Sequence, residues 1–180
     1  WNGIPVKVTL SPDLQLGQHH RPKCVAFDLA VECERPVEFT LKLRLPWWLA
    51  GAPTIAIDGE AQTAPHAPST WWSMRRAWNR NSIHVELPRG LHSVPLPDEP
   101  DTVAFMDGPV VLAGLCDAEV MLYGDKDRPE TILVPDNERE WRTWRPGYRT
   151  RDQERGIRFV PLYEIVNERY TTYFPVRKRG

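Results

Sequence analysis

From Val37 to Leu45 the chain alternates strictly. Val37, Phe39, Leu41, Leu43 and Leu45 fall on one side of an extended backbone, and Glu38, Thr40, Lys42 and Arg44 on the other. This pattern predicts a half-buried strand. Five such side chains at about 1.5–3 kcal/mol each supply much of a domain's apolar burial, so the strand belongs at the centre of a sheet. A slip of one residue would drive Lys42 and Arg44 into the core, which fixes its register. Pro46 cannot donate to the ladder and ends the strand, leaving Trp47 and Trp48 at its mouth.

The same alternation recurs elsewhere. Ile4 to Leu10 reads as a first strand, Ser11 to Pro22 as a polar loop, and Val25 to Val31 as a second strand. Glu34-Arg35-Pro36 is expected to turn that strand into the central one as a hairpin. Ile55 and Ile57 form a short strand closed by the tight-turn pair Asp58-Gly59. Trp71 to Trp78 alternates, Asn79-Arg80-Asn81 is read as a turn, and Ile83, Val85 and Leu87 alternate again. Pro95 to Pro100 holds three prolines and reads as a linker between two β units, residues 1–100 and 101–180. Beyond it, Val103 to Phe105 and Val110 to Leu115 flank Asp107-Gly108-Pro109 as a buried hairpin. Ile132 to Val134 is a further strand, and Ile157 to Val176 gives two closing strands around Asn167-Glu168-Arg169.

No window has the period of an amphipathic helix. The fold class is therefore all-β, an antiparallel β-sandwich or jelly roll, either two β units in tandem or one merged sandwich. Composition agrees: 18 prolines in 180 residues are about double the average usage of roughly 5% and suit short strands joined by turns.

Charge narrows the partners. The 23 basic and 24 acidic side chains nearly cancel, so bulk charge implies neither nucleic acid nor membrane surface. No apolar run approaches the roughly 20 residues of a membrane helix. The chain opens on Trp1 without a basic leader and reads as a piece of a longer protein. Cys24, Cys33 and Cys116 are odd in number with no Cys-x-x-Cys pair, which suits free thiols in a reducing, cytoplasmic compartment. His19, His20, Cys24 and Cys33 match no common zinc spacing, so no metal site is assigned.

Three constellations could carry chemistry. Trp47, Trp48, Trp71 and Trp72, with Trp78, offer flat indoles that could stack on sugar rings, although adjacent residues on a strand send one ring inward. The carboxylates Asp98, Glu99, Asp101, Glu164 and Glu168 could in principle supply a glycosidase pair. The first three sit among prolines in solvent, where they stay ionised, and the last two flank an arginine and suit structural ion pairs. Arg139 to Arg158 holds seven arginines with Trp141, Trp144 and Tyr148, but interleaved acids favour a solvated or docking face over nucleic-acid binding. There is no Gly-rich phosphate loop, Gly-x-Ser-x-Gly or His-Glu-x-x-His, and no catalytic residue is assigned.

Phe39-Thr-Leu-Lys-Leu-Arg-Leu-Pro-Trp-Trp48, Ile55-Ala-Ile-Asp-Gly-Glu60, Asp101-Thr-Val-Ala-Phe-Met-Asp-Gly-Pro-Val-Val-Leu-Ala-Gly114 and Phe159-Val-Pro-Leu-Tyr-Glu-Ile-Val-Asn-Glu-Arg-Tyr-Thr-Thr-Tyr-Phe174 occur in order along the chain. Together they resemble the C-terminal β region of bacterial glycoside hydrolase family 127, the β-L-arabinofuranosidase-like proteins. The resemblance implies a non-catalytic β-sandwich supporting a preceding α/α-barrel of the same polypeptide. There a cysteine nucleophile, glutamates and a cysteine-bound zinc do the work. None of those motifs occurs here, so no catalytic residue, metal ligand or cofactor is carried over. The alternatives are a free-standing carbohydrate-binding module that takes a plant-type oligosaccharide on its tryptophans, and a small enzyme with an unrecognised site.

Overall fold

A computed structural model gives the fold. It describes residues 1–13, 23–136 and 147–178, and the backbone alone at 139–140 and 143–144. The described residues form strands and two short 3-10 segments, Pro129–Thr131 and Leu162–Glu164, with no α-helix among them. The chain is all-β, of the sandwich class. It divides into two compact units, with Arg89 closing the first and Gly90 opening the second.

The first unit contains β1 (Val6–Asp13), β2 (Cys24–Leu45), β3 (Thr54–Ile57), β4 (Glu60–Gln62) and β5 (Thr70–Pro88), in the sheet order β1-β2-β5-β3-β4. The stretches 25–31 and 37–45 are not a hairpin, as the pattern had suggested. They are two halves of one 22-residue strand. Likewise 71–78 and 83–87 are halves of the single strand β5, so Asn79-Arg80-Asn81 is not a reversal. The two strands run antiparallel along both halves, from Cys24↔Pro88 to Leu45↔Thr70, with one irregularity. There Cys33 to Pro36 of β2 stand opposite Asn79 alone. A proline without an N–H is tolerated in such a bulge, and the extra residues bend the strand without ending it. Polar residues that read as a turn were therefore a bend.

The bulge also keeps the core continuous. Buried residues of β2 stay at odd positions from Leu29 to Leu45, whereas those of β5 change from Trp72 and Trp78 to Ile83, Val85 and Leu87. One buried cluster joins both halves to Ile55, Ile57 and Leu49. Trp78 is fully buried at the bend. Its indole N–H donates to the Phe39 carbonyl at 2.9 Å, and its ring stacks on Phe39 with centroids 5.8 Å apart. Asp58-Gly59 closes the β3–β4 hairpin as expected, with φ of 52° and 84°. The Asp58 carboxylate accepts the Ser82 N–H and the Asn81 side-chain N–H, and these bonds hold its pKa below the usual carboxylate value.

The second unit contains β6 (Leu91–Pro95), β7 (Thr102–Asp107), β8 (Val110–Leu115), β9 (Leu122–Tyr123), β10 (Leu133–Pro135), β11 (Arg139–Glu140), β12 (Thr143–Trp144), β13 (Tyr148–Thr150), β14 (Arg158–Pro161), β15 (Tyr170–Thr171) and β16 (Tyr173–Arg177). Its main sheet follows β10-β13-β14-β8-β7-β16-β9, with β6 paired to β7 and β15 to β8; β9 and β16 are parallel. The β7–β8 hairpin forms where expected, around Gly108-Pro109. The proline-rich stretch after Pro95 is not a tether. It connects β6 to its partner β7 within this unit, closed by Leu96 N–H to Thr102 O and Thr102 N–H to Glu99 O, both 2.9 Å. The closing strands β14 and β15 both pair with β8 and not with each other.

Phe105, Phe159 and Phe174 are fully buried together, with Phe159 and Phe174 ring centroids 4.9 Å apart. They close over Gly114. A Cβ there would lie 2.4 Å from Phe174 Cζ and 3.0 Å from two Phe159 ring atoms. Gly114→Ala is therefore expected to destabilise by about 1–3 kcal/mol through overpacking. Trp78→Ala should cost about 3–5 kcal/mol through the cavity left at the bend. Urea denaturation of both variants measures these losses.

Candidate functional site

The tryptophans named from the sequence meet near the end of β2. Arg44 stands opposite Trp71, and Leu43 opposite Trp72, in the β2–β5 ladder. Strand alternation then separates each pair. Trp72 is buried and donates its indole N–H to the Thr63 carbonyl at 3.2 Å, while Trp71 is 59% exposed on the outer face. Trp48 packs half-buried against the first core and Trp47 is 52% exposed. The Arg44 guanidinium lies 5.5 Å from the Trp71 ring centroid and donates to the carbonyls of Ser69 and Thr70 at 2.6 and 3.2 Å. One face of Trp71 is thus engaged by a cation that is itself anchored.

Two of the candidate carboxylates, Asp101 and Glu168, are held as anions by their partners. Asp101 accepts from Lys126 Nζ, and that contact lowers its pKa. Glu99 accepts the Thr102 hydroxyl at 3.2 Å, and Asp98 is exposed. Glu168 does not make the ion pair expected of it. Its carboxylate accepts the backbone N–H groups of Val166 and Asn167 at 2.9 and 3.0 Å, and these hydrogen bonds lower its pKa. Glu164 is exposed on the 3-10 segment Leu162–Glu164. A glycosidase acid needs a raised pKa; Asp101 and Glu168 are shifted the other way.

The arginine stretch is described only in part, and Trp141 and the side chain of Trp144 lie outside the described residues. Of its described arginines, Arg151 pairs with Asp152 at 3.2 Å, Arg155 with Asp117 at 3.2 Å and Arg158 with Asp136 at 3.6 Å. Tyr148 is buried and donates its hydroxyl to Asp107 at 3.1 Å. These cations are already matched, so they do not form a free anion surface.

Cys33 and Cys116 are buried, and Cys24 is half-buried. Burial raises the Cys24 pKa, and the carboxylates of Glu86 and Asp13 raise it further, so its thiol stays protonated and weakly nucleophilic. His19 and His20 lie outside the described residues. Among the described residues no three His, Cys, Asp or Glu side chains are grouped to hold a metal ion. No helix among them is long and apolar enough to cross a membrane.

One constellation was not visible in the sequence. On the outer face of the first sheet, His84 Nδ1 lies 2.8 Å from Asp28 Oδ1, its partner across the ladder. Its Nε2 lies 3.5 Å from Glu86 Oε1. No spacing rule joins residues 28 and 84; only the β2–β5 register does.

The fold was compared with known structures and the sequence with family models. Residues 4–89 match the family model of the beta-L-arabinofuranosidase, GH127 middle domain. The matched part is thus described as a middle domain, where a C-terminal region had been expected. A GH127 beta-L-arabinofuranosidase from Geobacillus stearothermophilus superimposes with a TM-score of 0.62 at 21% identity, over 99% of this chain and 31% of that one. A second GH127 beta-arabinofuranosidase gives 0.63 at 16% identity, over 96% and 32%. A protein described as a glycoside hydrolase gives 0.61 at 14%, over 94% and 32%. At these identities the likeness is one of fold, and the chain spans about a third of each relative. No curated protein matches the sequence.

The histidine cluster yields a pH prediction. The Asp28 hydrogen bond raises the His84 pKa above 6.5, against the opposing effect of burial, and Glu86 adds to the rise. A raised histidine pKa stabilises the fold fully below the unfolded value and ceases to do so as pH rises through the folded value. No other charged group faces His84 across the ladder, where β3 presents Ala56 and β1 presents Ser11 beyond Asp28. His84→Gln should therefore lower the urea midpoint at pH 5.5 and leave it close to that of the unsubstituted chain at pH 9.

Proposed function

We propose that this chain is a non-catalytic β portion of a larger hydrolase related to the β-L-arabinofuranosidases, and that the bond-breaking groups lie on polypeptide outside it. The observation that carries this reading is the pairing of a GH127 middle-domain match at residues 4–89 with folds that cover almost all of this chain but a third of theirs. The chemistry of the described residues supports it. Asp101 and Glu168 are pinned as anions, the Cys24 thiol is held protonated, and three described arginines are paired with acids. Such groups build a scaffold. In this reading the partner is the catalytic domain of the same polypeptide, an α/α-barrel, with the second unit as the C-terminal companion of the middle domain.

The test is activity on an aryl β-L-arabinofuranoside. The 180-residue chain should give no turnover with zinc added, and turnover abolished by a single substitution within it would refute the reading.

We also infer that the domain boundary lies at Arg89/Gly90. The compact units divide there, and the family match ends there. Calorimetry of the full chain should then resolve two transitions, one moved by Trp78→Ala and the other by Gly114→Ala. A single transition moved by both would merge the units into one domain.

A further inference from the structure

The second unit carries a cleft formed by residues 116–119, after β8, and residues 168–173, around β15. Tyr170 and Tyr173 line it and remain 44% and 49% exposed. Their placement follows from the strand pairing. Tyr170 stands opposite Leu115 of β8, and Tyr173 opposite Ala104 of β7, so the two tyrosines belong to neighbouring ladders. Between them the Thr171 hydroxyl accepts the Tyr173 N–H and donates to the Tyr173 carbonyl, both at 3.3 Å, which fixes the step from one ladder to the next.

The polar lining carries both donors and acceptors. Glu168 is clamped by two backbone N–H groups, and Asp117 is paired with Arg155 at 3.2 Å. Glu119 and Arg169 line the same cleft and have no partner among the described residues. A carboxylate accepts hydrogen bonds and a guanidinium donates them, so the cleft offers an unused acceptor and an unused donor.

We propose that this cleft binds a neutral oligosaccharide. A sugar ring presents a flat C–H face that a tyrosine ring can cover, and hydroxyls that both donate and accept. An anionic ligand would meet the carboxylates of Asp117, Glu119 and Glu168. A basic peptide would meet the guanidinium of Arg169. A neutral polyol uses the two rings, the acceptor and the donor at once. Convergence of a few polar groups beside aromatic surface is the usual form of a small-ligand site. The inference goes beyond the supporting role proposed above and does not depend on which polypeptide carries the chain.

Saturation-transfer NMR of the full chain with arabinotriose, xylotriose and galactotriose tests it. At least one trisaccharide should bind saturably. Tyr170→Ala and Tyr173→Ala should each weaken that binding by about tenfold, equivalent to about 1.4 kcal/mol, while Tyr173→Phe should retain it. Glu119→Lys, at an exposed position with no structural contact to lose, should weaken binding comparably and keeps the test open if an alanine variant does not fold. The proposal is overturned if none of the three trisaccharides binds, or if binding survives these substitutions. It is equally overturned if binding is lost in Trp71→Ala while Tyr170→Ala keeps it, or if an arginine-rich peptide occupies the cleft and the trisaccharides do not.

Discussion

The first unit depends on the pairing of β2 with β5. Both strands are long, 22 and 19 residues, and they stay hydrogen-bonded partners on either side of a single irregularity. A pleated strand sends alternate side chains to opposite faces, so two strands that bend must do so without exchanging their faces. The surplus of residues Cys33 to Pro36 against Asn79 meets that constraint, and the buried residues of both halves meet in one core. Trp78 stands beside this irregularity, opposite Val37, where its buried ring packs and its N–H satisfies the Phe39 carbonyl.

A different contact organises the second unit. Gly114 sits on the central strand β8 directly opposite Phe159, and the absent side chain lets Phe159 and Phe174 close together. Aromatic pairs at such separations add about 0.5–1.5 kcal/mol to their burial. Close packing there brings β14, β15 and β16 onto β8 and β7, and so carries the segment 168–173 to its place beside residues 116–119.

Functional groups in the two units have different fates. In the first unit several exposed charges are matched across the ladder: Lys7 with Glu32, Arg75 with Glu38, and His84 with Asp28. Exposed pairs of this kind contribute little stability. The cleft of the second unit keeps an unmatched acid and an unmatched base beside two open aromatic rings.

Sequence alone determined the all-β class, the faces of the central strand and the tight turns, because face alternation and turn chemistry are local. It failed at the edge strand β1, which runs on through Ser11 to Asp13 and leaves Val8 and Leu10 exposed, and it did not show β6. Val37 to Leu45, Asp58-Gly59 and Gly108-Pro109 are all found as their patterns foretold, and Trp71 and Trp72 point to opposite faces as period-two alternation requires. The tertiary structure decided continuity and company. Glu34-Arg35-Pro36 and Asn79-Arg80-Asn81 have the composition of turns and act as a shared bend, and Pro95 to Pro100 looks like a tether and joins two paired strands, because pairing partners far along the chain settle each case. The neighbours of His84 and the gathering of Glu119, Tyr170 and Tyr173 around one cleft depend on ladder register and strand order, which join residues tens of positions apart and leave no mark in local composition.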